Sequence, residues 1–157
     1  MMMALVDDDV AVYARHADEL TRYATVLVGP HDAPDVVTDA VLAAFASPGW
    51  VGVSNRRAYL YRAVLNRALT QRRSEARRSR REAAAAVPVV TAAHEPSIDA
   101  HRALSELSPQ QRAVVYLTYW DDLTPAQIAV LLDVGEGTVR KQLARARESL
   151  RRILDEH

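Results

Sequence analysis

The apolar positions of the chain fall into short helical registers divided by turn residues. In the stretch 10–28, Val12, His16, Leu20, Tyr23 and Leu27 recur at spacings of three and four, which puts them on one face of a helix. Gly29-Pro30 stops that helix. Asp32 and Pro34 then supply an N-cap and a first-turn proline for a second helix over 33–46, carrying Val37, Val41, Leu42 and Phe45. Residues 47–54 (SPGWVGVS) have the punctuation of a loop. A third helix is predicted over 55–80, apolar through Leu60, Val64, Ala68 and Leu69 and then wholly polar and basic.

The pattern lapses over 82–97 (EAAAAVPVVTAAHEPS), where two prolines and an alanine run carry no amphipathic period. This stretch reads as a flexible linker. Beyond it a short helix is predicted over 98–107 and another from Ser108-Pro109 to Tyr119. Thr124-Pro125 is a second N-cap and first-position pair, opening a helix that ends near Leu132. A turn at 133–136 follows. The last helix takes up Val139, Leu143, Ala146, Leu150 and Ile153. The expected fold is all-α, with two small helical domains, 8–81 and 98–157, joined by the linker 82–97.

Composition narrows the class. At 49% hydrophobic and 25% charged residues the chain fits a globular protein rather than a disordered one. No apolar run approaches the roughly 20 residues of a membrane span, so no membrane insertion is expected. The start, MMMALVDDD, turns acidic at once and lacks the basic region of a signal peptide, which makes the cytoplasm the expected compartment. The absence of cysteine excludes disulfides, thiol catalysis and zinc-thiolate sites.

Charge changes the picture further. The net charge is zero, yet residues 1–55 hold two arginines against eight acids, and 56–81 hold ten arginines against Glu75 alone. Residues 82–139 return to two arginines against eight acids, and 140–157 carry six basic residues against three acids. Two basic blocks between acidic ones suggest two contacts with a polyanion. All basic residues but Lys141 are arginine, the side chain better suited to phosphates and base edges.

The second block holds the more specific constellation. A short helix, a four-residue turn and a second helix over 124–147 match helix-turn-helix dimensions. Ile128, Leu131, Leu132 and Val134 are expected to pack against Val139 and Leu143. Gly135 and Gly137 allow close backbone approach, and Thr138 offers a hydroxyl near the amides of the helix start, which favour a phosphate. With 139, 143, 146 and 150 inside, residues 140, 141, 144, 145 and 148 point outward, placed to enter a major groove. The plain alternative is a solvated basic helix face.

The stretch LSPQQRAVVYLTYWDDLTPAQIAVLLDVGEGTVRKQLARARESLRRIL (107–154) resembles region 4, the promoter-binding domain of bacterial sigma factors, most closely the extracytoplasmic-function group. The resemblance rests on Gln111-Arg112-Ala113-Val114, Asp122, Thr124, Ile128-Ala129, Gly137-Thr138-Val139 and Arg145-Ala146-Arg147. In the N-terminal half, DAPDVVTDAVLAAF (32–45) resembles the region 2 helix that docks on core RNA polymerase, and AYLYRAVLNRALTQRR (58–73) the helix behind minus-10 recognition.

The resemblance implies that Gly137, Thr138, Arg140, Lys141, Gln142, Ala144 and Arg145 face minus-35 duplex. It implies that Trp50, Asn55, Arg56, Arg57, Tyr59, Arg62, Asn66 and Arg73 serve the melted minus-10 strand, with Trp50 and the Tyr59/Tyr61 pair stacking on an unpaired base. Tyr59 and Tyr61 read equally well as core, and core is the alternative reading for Trp50 too. Asp35, Thr38, Asp39 and Leu42 would contact core polymerase. The implied partners are core RNA polymerase, promoter DNA as duplex and single strand, and an anti-sigma factor. No cofactor, metal or catalytic residue is expected. The family more often has glutamine at position 38 and a serine-arginine pair at 141–142, so Lys141-Gln142 are where this chain's own base preference is expected.

Other classes fit less well. The histidines at 16, 31, 94, 101 and 157 are scattered, and the chain has neither a phosphate-cradling glycine loop nor a nucleophile elbow, so catalysis is the poorest reading. A dimeric helix-turn-helix regulator would bring a receiver-like α/β domain, where this N-terminal half reads as helical. A sigma-like protein that sequesters polymerase or a partner without initiating would share every motif above.

Overall fold

A computed structural model describes the backbone of residues 2–82 and 103–155, with side chains over 8–71 and 103–155. The linker 82–97, apart from the helical backbone at Glu82, lies outside the described residues. So do the start of the helix expected over 98–107 and the side chain of Arg73. In order come α1 (Met2–Val28), α2 (Ala33–Ala46), a 3-10 turn (Trp50–Gly52), α3 (Arg56–Glu82), α4 (Pro109–Tyr119), α5 (Pro125–Leu132) and α6 (Glu136–Asp155). Residues 103–105 form one further helical turn. The fold is all-α, with no strand among the described residues.

Local chemistry explains most boundaries. Ser108 and Thr124 each accept a hydrogen bond from the backbone N–H three residues on, while the Gln111 and Gln127 side chains accept one from the backbone N–H of the cap. These are reciprocal capping boxes with proline at the first helical position. Gly29 ends α1 at a φ of 89°, a conformation that glycine adopts without steric cost. Asp32 departs from its expected role: it already has helical backbone angles, and its side chain makes no cap hydrogen bond.

α1 begins eight residues earlier than its apolar register predicts. Asp8 and Asp9 have partners far along the chain. Asp8 accepts from Arg56, and Asp9 accepts from the Trp50 indole N–H at 2.8 Å. Tertiary pairing thus extends a helix whose periodicity begins at Val12.

The N-terminal domain buries Leu20, Tyr23, Ala24 and Leu27 of α1, Val36, Val37, Ala40 and Val41 of α2, and Leu60, Tyr61, Val64 and Ala68 of α3. The C-terminal domain buries Val114 and Leu117 of α4, Ile128, Leu131 and Leu132 of α5, and Val139, Leu143 and Ala146 of α6. The two are in contact. Tyr23 lies 4.7 Å from Tyr61 and 6.1 Å from Tyr116, ring centre to ring centre. Arg112 donates to the Leu27 carbonyl at 2.7 Å and Arg62 to the Leu131 carbonyl at 3.3 Å. The domains therefore share one continuous apolar cluster.

Candidate nucleic-acid interface

α5 and α6 hold the expected helix-turn-helix angle through Ile128, Leu131 and Leu132 against Val139 and Leu143, all buried, with Val134 half-buried at the corner. The corner turns at Asp133, whose φ of 55° puts it in the left-handed region that Asp and Asn tolerate best. α6 starts at Glu136, inside the predicted turn. An acid there suits the positive end of the helix dipole, and its carboxylate accepts from Arg140 at 2.7 Å.

Outward from this frame, Gly137, Thr138, Arg140, Lys141, Ala144 and Arg145 are exposed along one side of α6. Gln142 departs from the group. It is half-buried, and its amide donates to Gln110 of α4 at 3.3 Å, so in this state it buttresses the helix. Arg147 points elsewhere, donating to the Tyr119 hydroxyl at 2.9 Å.

The second basic surface follows α3. Asn55 caps its start by accepting from the Ala58 N–H at 3.0 Å. Arg56 lies over the Trp50 ring and Arg57 over the Tyr61 ring, 5.4 and 4.8 Å from the ring centres. Asn66 is exposed, and Arg62 and Tyr59 are half-buried, the Tyr59 hydroxyl donating to Ser47 at 2.9 Å. A groove of about 800 Å³ runs between α2 and α3, lined by Asp39, Leu42, Tyr59, Arg62, Asn66 and Arg67.

Trp50 is corrected by this arrangement. Only 3% of it is exposed, it packs 5.1 Å from Phe45 and 5.5 Å from Tyr59, and its indole N–H is held by Asp9. An indole with a polar partner and two aromatic neighbours is a core residue here, with no free face for a base. The glycines around it suggest an open loop, but the sequence does not show that Asp9 lies opposite. Tyr61 resolves in the same direction, buried with its hydroxyl donating to Glu19 at 3.1 Å.

Glu19 gathers His16, Arg57 and Tyr61 at 2.5 to 3.2 Å. Burial pushes its carboxyl upward, but the hydrogen bond from His16 and the Arg57 charge outweigh burial and hold it below the ordinary glutamate range. Burial pushes the hydroxyls of Tyr23 and Tyr61 well above the usual tyrosine range. Burial also raises Asp121, partly offset by Arg57. Pattern reading missed Glu19, because a lone acid carries no motif, and did not single out Arg67 within its basic block.

On α2, Asp35, Thr38, Asp39 and Leu42 are all exposed, Leu42 by 61%. No group of three metal-ligating side chains occurs among the described residues, nor is any described helix long and apolar enough to cross a membrane.

A helix-turn-helix with an exposed basic second helix, joined to a helical domain with its own basic helix, defines a two-domain DNA-binding protein. Comparison with known proteins narrows the class. Residues 97–150 match the family model for Sigma-70, region 4. The chain is 35% identical to the ECF RNA polymerase sigma factor SigL of Mycobacterium tuberculosis, over 93% of this chain and 88% of the relative. It is 33% identical to the RNA polymerase sigma-E factor of Streptomyces avermitilis, over 88% of this chain and 80% of that one. Among solved structures it resembles the sigma factor RpoE of Bartonella quintana, solved with the anti-sigma factor NepR, at a TM-score of 0.70 and 22% identity, covering 94% of this chain and 97% of that one. CnrH, solved with the cytosolic domain of CnrY, matches at 0.62 and 23% identity, covering 94% and 88%. This chain belongs to the extracytoplasmic-function (ECF) family of RNA polymerase sigma factors, which direct promoter-specific transcription.

Proposed function

We propose that α2 docks on core RNA polymerase through Asp35, Thr38, Asp39 and Leu42, and that α6 reads minus-35 duplex through Lys141 and Arg145, with Arg140 released from Glu136. The backbone at Gly137 and Thr138 takes a phosphate, Ala144 lies against the groove, and Gln142 joins the contact by leaving Gln110. The minus-10 strand runs along α3 past Asn55, Arg56, Arg57, Tyr59, Arg62, Asn66 and Arg73. With Trp50 in the core, Tyr59 and the groove between α2 and α3 are the remaining stacking surface. The domains are 8–81 and 98–157, with 82–97 as the tether. The chain itself catalyses nothing and works in the cytoplasm, where the polymerase is. An anti-sigma partner follows from family membership and from the complexes in which the structural relatives were solved.

The observation that carries this reading is the exposed face of α6, basic and seated on a well-packed helix-turn-helix. Two weak contacts on one template become tight together through effective concentration. Run-off transcription with core polymerase and a promoter library tests it, with initiation from a definable subset as the expected result. Polymerase binding without initiation from any template would replace it with the sequestering reading.

A further inference from the structure

Residues 136–147 of α6 hold a single acid, Glu136, among five basic or amide side chains. It heads the row Glu136–Arg140–Ala144, whose spacing of four stacks the three along one side of the helix. All three are exposed, Arg140 at 65% and Glu136 at 47%. For the helix dipole alone, an acid at this end is favourable. On a row that faces DNA it is unfavourable, because the same carboxylate meets the duplex phosphates. In the free chain Arg140 neutralises it by donating at 2.7 Å. When Arg140 turns to DNA, an acceptor-only carboxylate is left at the end of the helix that reaches the base edges first. Binding then stays favourable only where a donor meets it.

The base edges of the major groove offer two such donors, N4 of cytosine and N6 of adenine. Adenine sets its N7 acceptor beside N6, which repels a carboxylate, whereas cytosine presents N4 alone. We propose that Glu136 is a specificity-determining residue, accepting from the N4 amine of a cytosine in the minus-35 duplex and penalising sites that lack it. The inference rests on the assignment of α6 to that duplex. At a site without the amine, Glu136 is better served by keeping Arg140, which withholds both side chains from DNA. The exchange is within reach because an exposed pair four residues apart on a helix is biased toward closure by only about 1.5- to 2.5-fold.

The test is transcription by the holoenzyme from a promoter library randomised over the minus-35 element. The unaltered chain is expected to favour cytosine at one position by about 5- to 150-fold. Glu136→Ala is expected to erase that preference and leave the other positions alone. Glu136→Gln is expected to move it toward adenine, whose N6 and N7 an amide pairs with. Arg140→Ala is expected to keep the cytosine, and Asp155→Asn, the same charge change at the far end of α6, to keep every preference. A uniform gain over all sequences from Glu136→Ala would reduce Glu136 to a repulsive charge and overturn the proposal. Lower thermal stability with unchanged preferences would reduce it to a dipole partner, and loss of the cytosine from Arg140→Ala as well would make Arg140 the reader. In those three outcomes the minus-35 role of α6 stands. An unaltered chain that initiates with no base preference across the element would strike that role itself.

Discussion

Gly137 separates what the free chain needs from what DNA needs. It lies in the first turn of α6 with an ordinary φ, and a Cβ placed on it meets nothing within 4 Å. Alanine therefore fits the free protein and removes glycine's backbone-entropy cost, up to about 1 kcal/mol. In a chain of 157 residues that corresponds to a rise in Tm of about 2–4 °C. Against DNA the sign reverses. The amides of this turn are the proposed phosphate donors, and a methyl group at 137 stands between them and the backbone of the duplex. Losing one hydrogen bond to a charged group costs about 1.5–3 kcal/mol, or roughly a 10- to 150-fold weaker Kd. Calorimetry on Gly137→Ala, paired with anisotropy on a minus-35 duplex selected from the promoter library, reads both effects. A variant that is more stable and binds equally tightly would refute close approach as the reason for the glycine. A variant that is less stable would refute the open geometry.

Three further outcomes follow from the site. Lys141→Ala or Arg145→Ala is expected to change the preferred minus-35 bases at about 1–3 kcal/mol each if the side chain reads a base edge, whereas Gln142→Ala is expected to matter less because Gln142 is held by Gln110; selection from a randomised minus-35 library compares them, and a larger shift from Gln142 would reverse the assignment. Trp50→Ala is expected to cost about 3–5 kcal/mol of stability as a core truncation, measured by urea unfolding, and a loss below 1 kcal/mol with weakened single-strand binding would return Trp50 to the DNA surface. Glu19 is held below its unfolded pKa, so its contribution is full above about pH 4.3 and is lost as pH falls through the lower folded value; Glu19→Gln is expected to flatten the acid limb of a Tm-against-pH curve, and an unchanged limb would dismiss the cluster as a stabilising group.

Most of the fold was legible because it is written locally. The two capping boxes lie within four consecutive residues each, and the registers of α2, α4 and α6 run without interruption, so their boundaries fall within a residue or so of the pattern. What was illegible depends on residues distant in sequence. The first turns of α1 have their reason at Arg56 and Trp50, more than 40 positions away. Trp50 resembles a loop aromatic until Asp9 is seen to accept its N–H, and Gln142 resembles a reading residue until Gln110 is seen beside it. The candidate site was legible where side chains point outward from a well-registered helix, as at Lys141 and Arg145. It failed where a polar side chain could turn back to an acid or amide on another element.

The charge pattern shows the same division with a physical consequence. Asp8, Glu19 and Asp39 come from the first acidic block and Asp133 from the second, while all four of their arginine partners come from the basic block between them. The zero net charge is therefore partly a set of ion pairs rather than an average over separate surfaces. A protein built this way gains less from counterion release at Arg56, Arg57, Arg62 and Arg67 than its arginine count suggests, because a phosphate contact at any of these four first gives up an internal carboxylate. On α6, Arg140 carries such a debit through Glu136, while Lys141 and Arg145 are exposed. Salt is thus expected to weaken minus-35 duplex binding by the isolated chain more steeply, per basic residue engaged, than single-strand binding along α3.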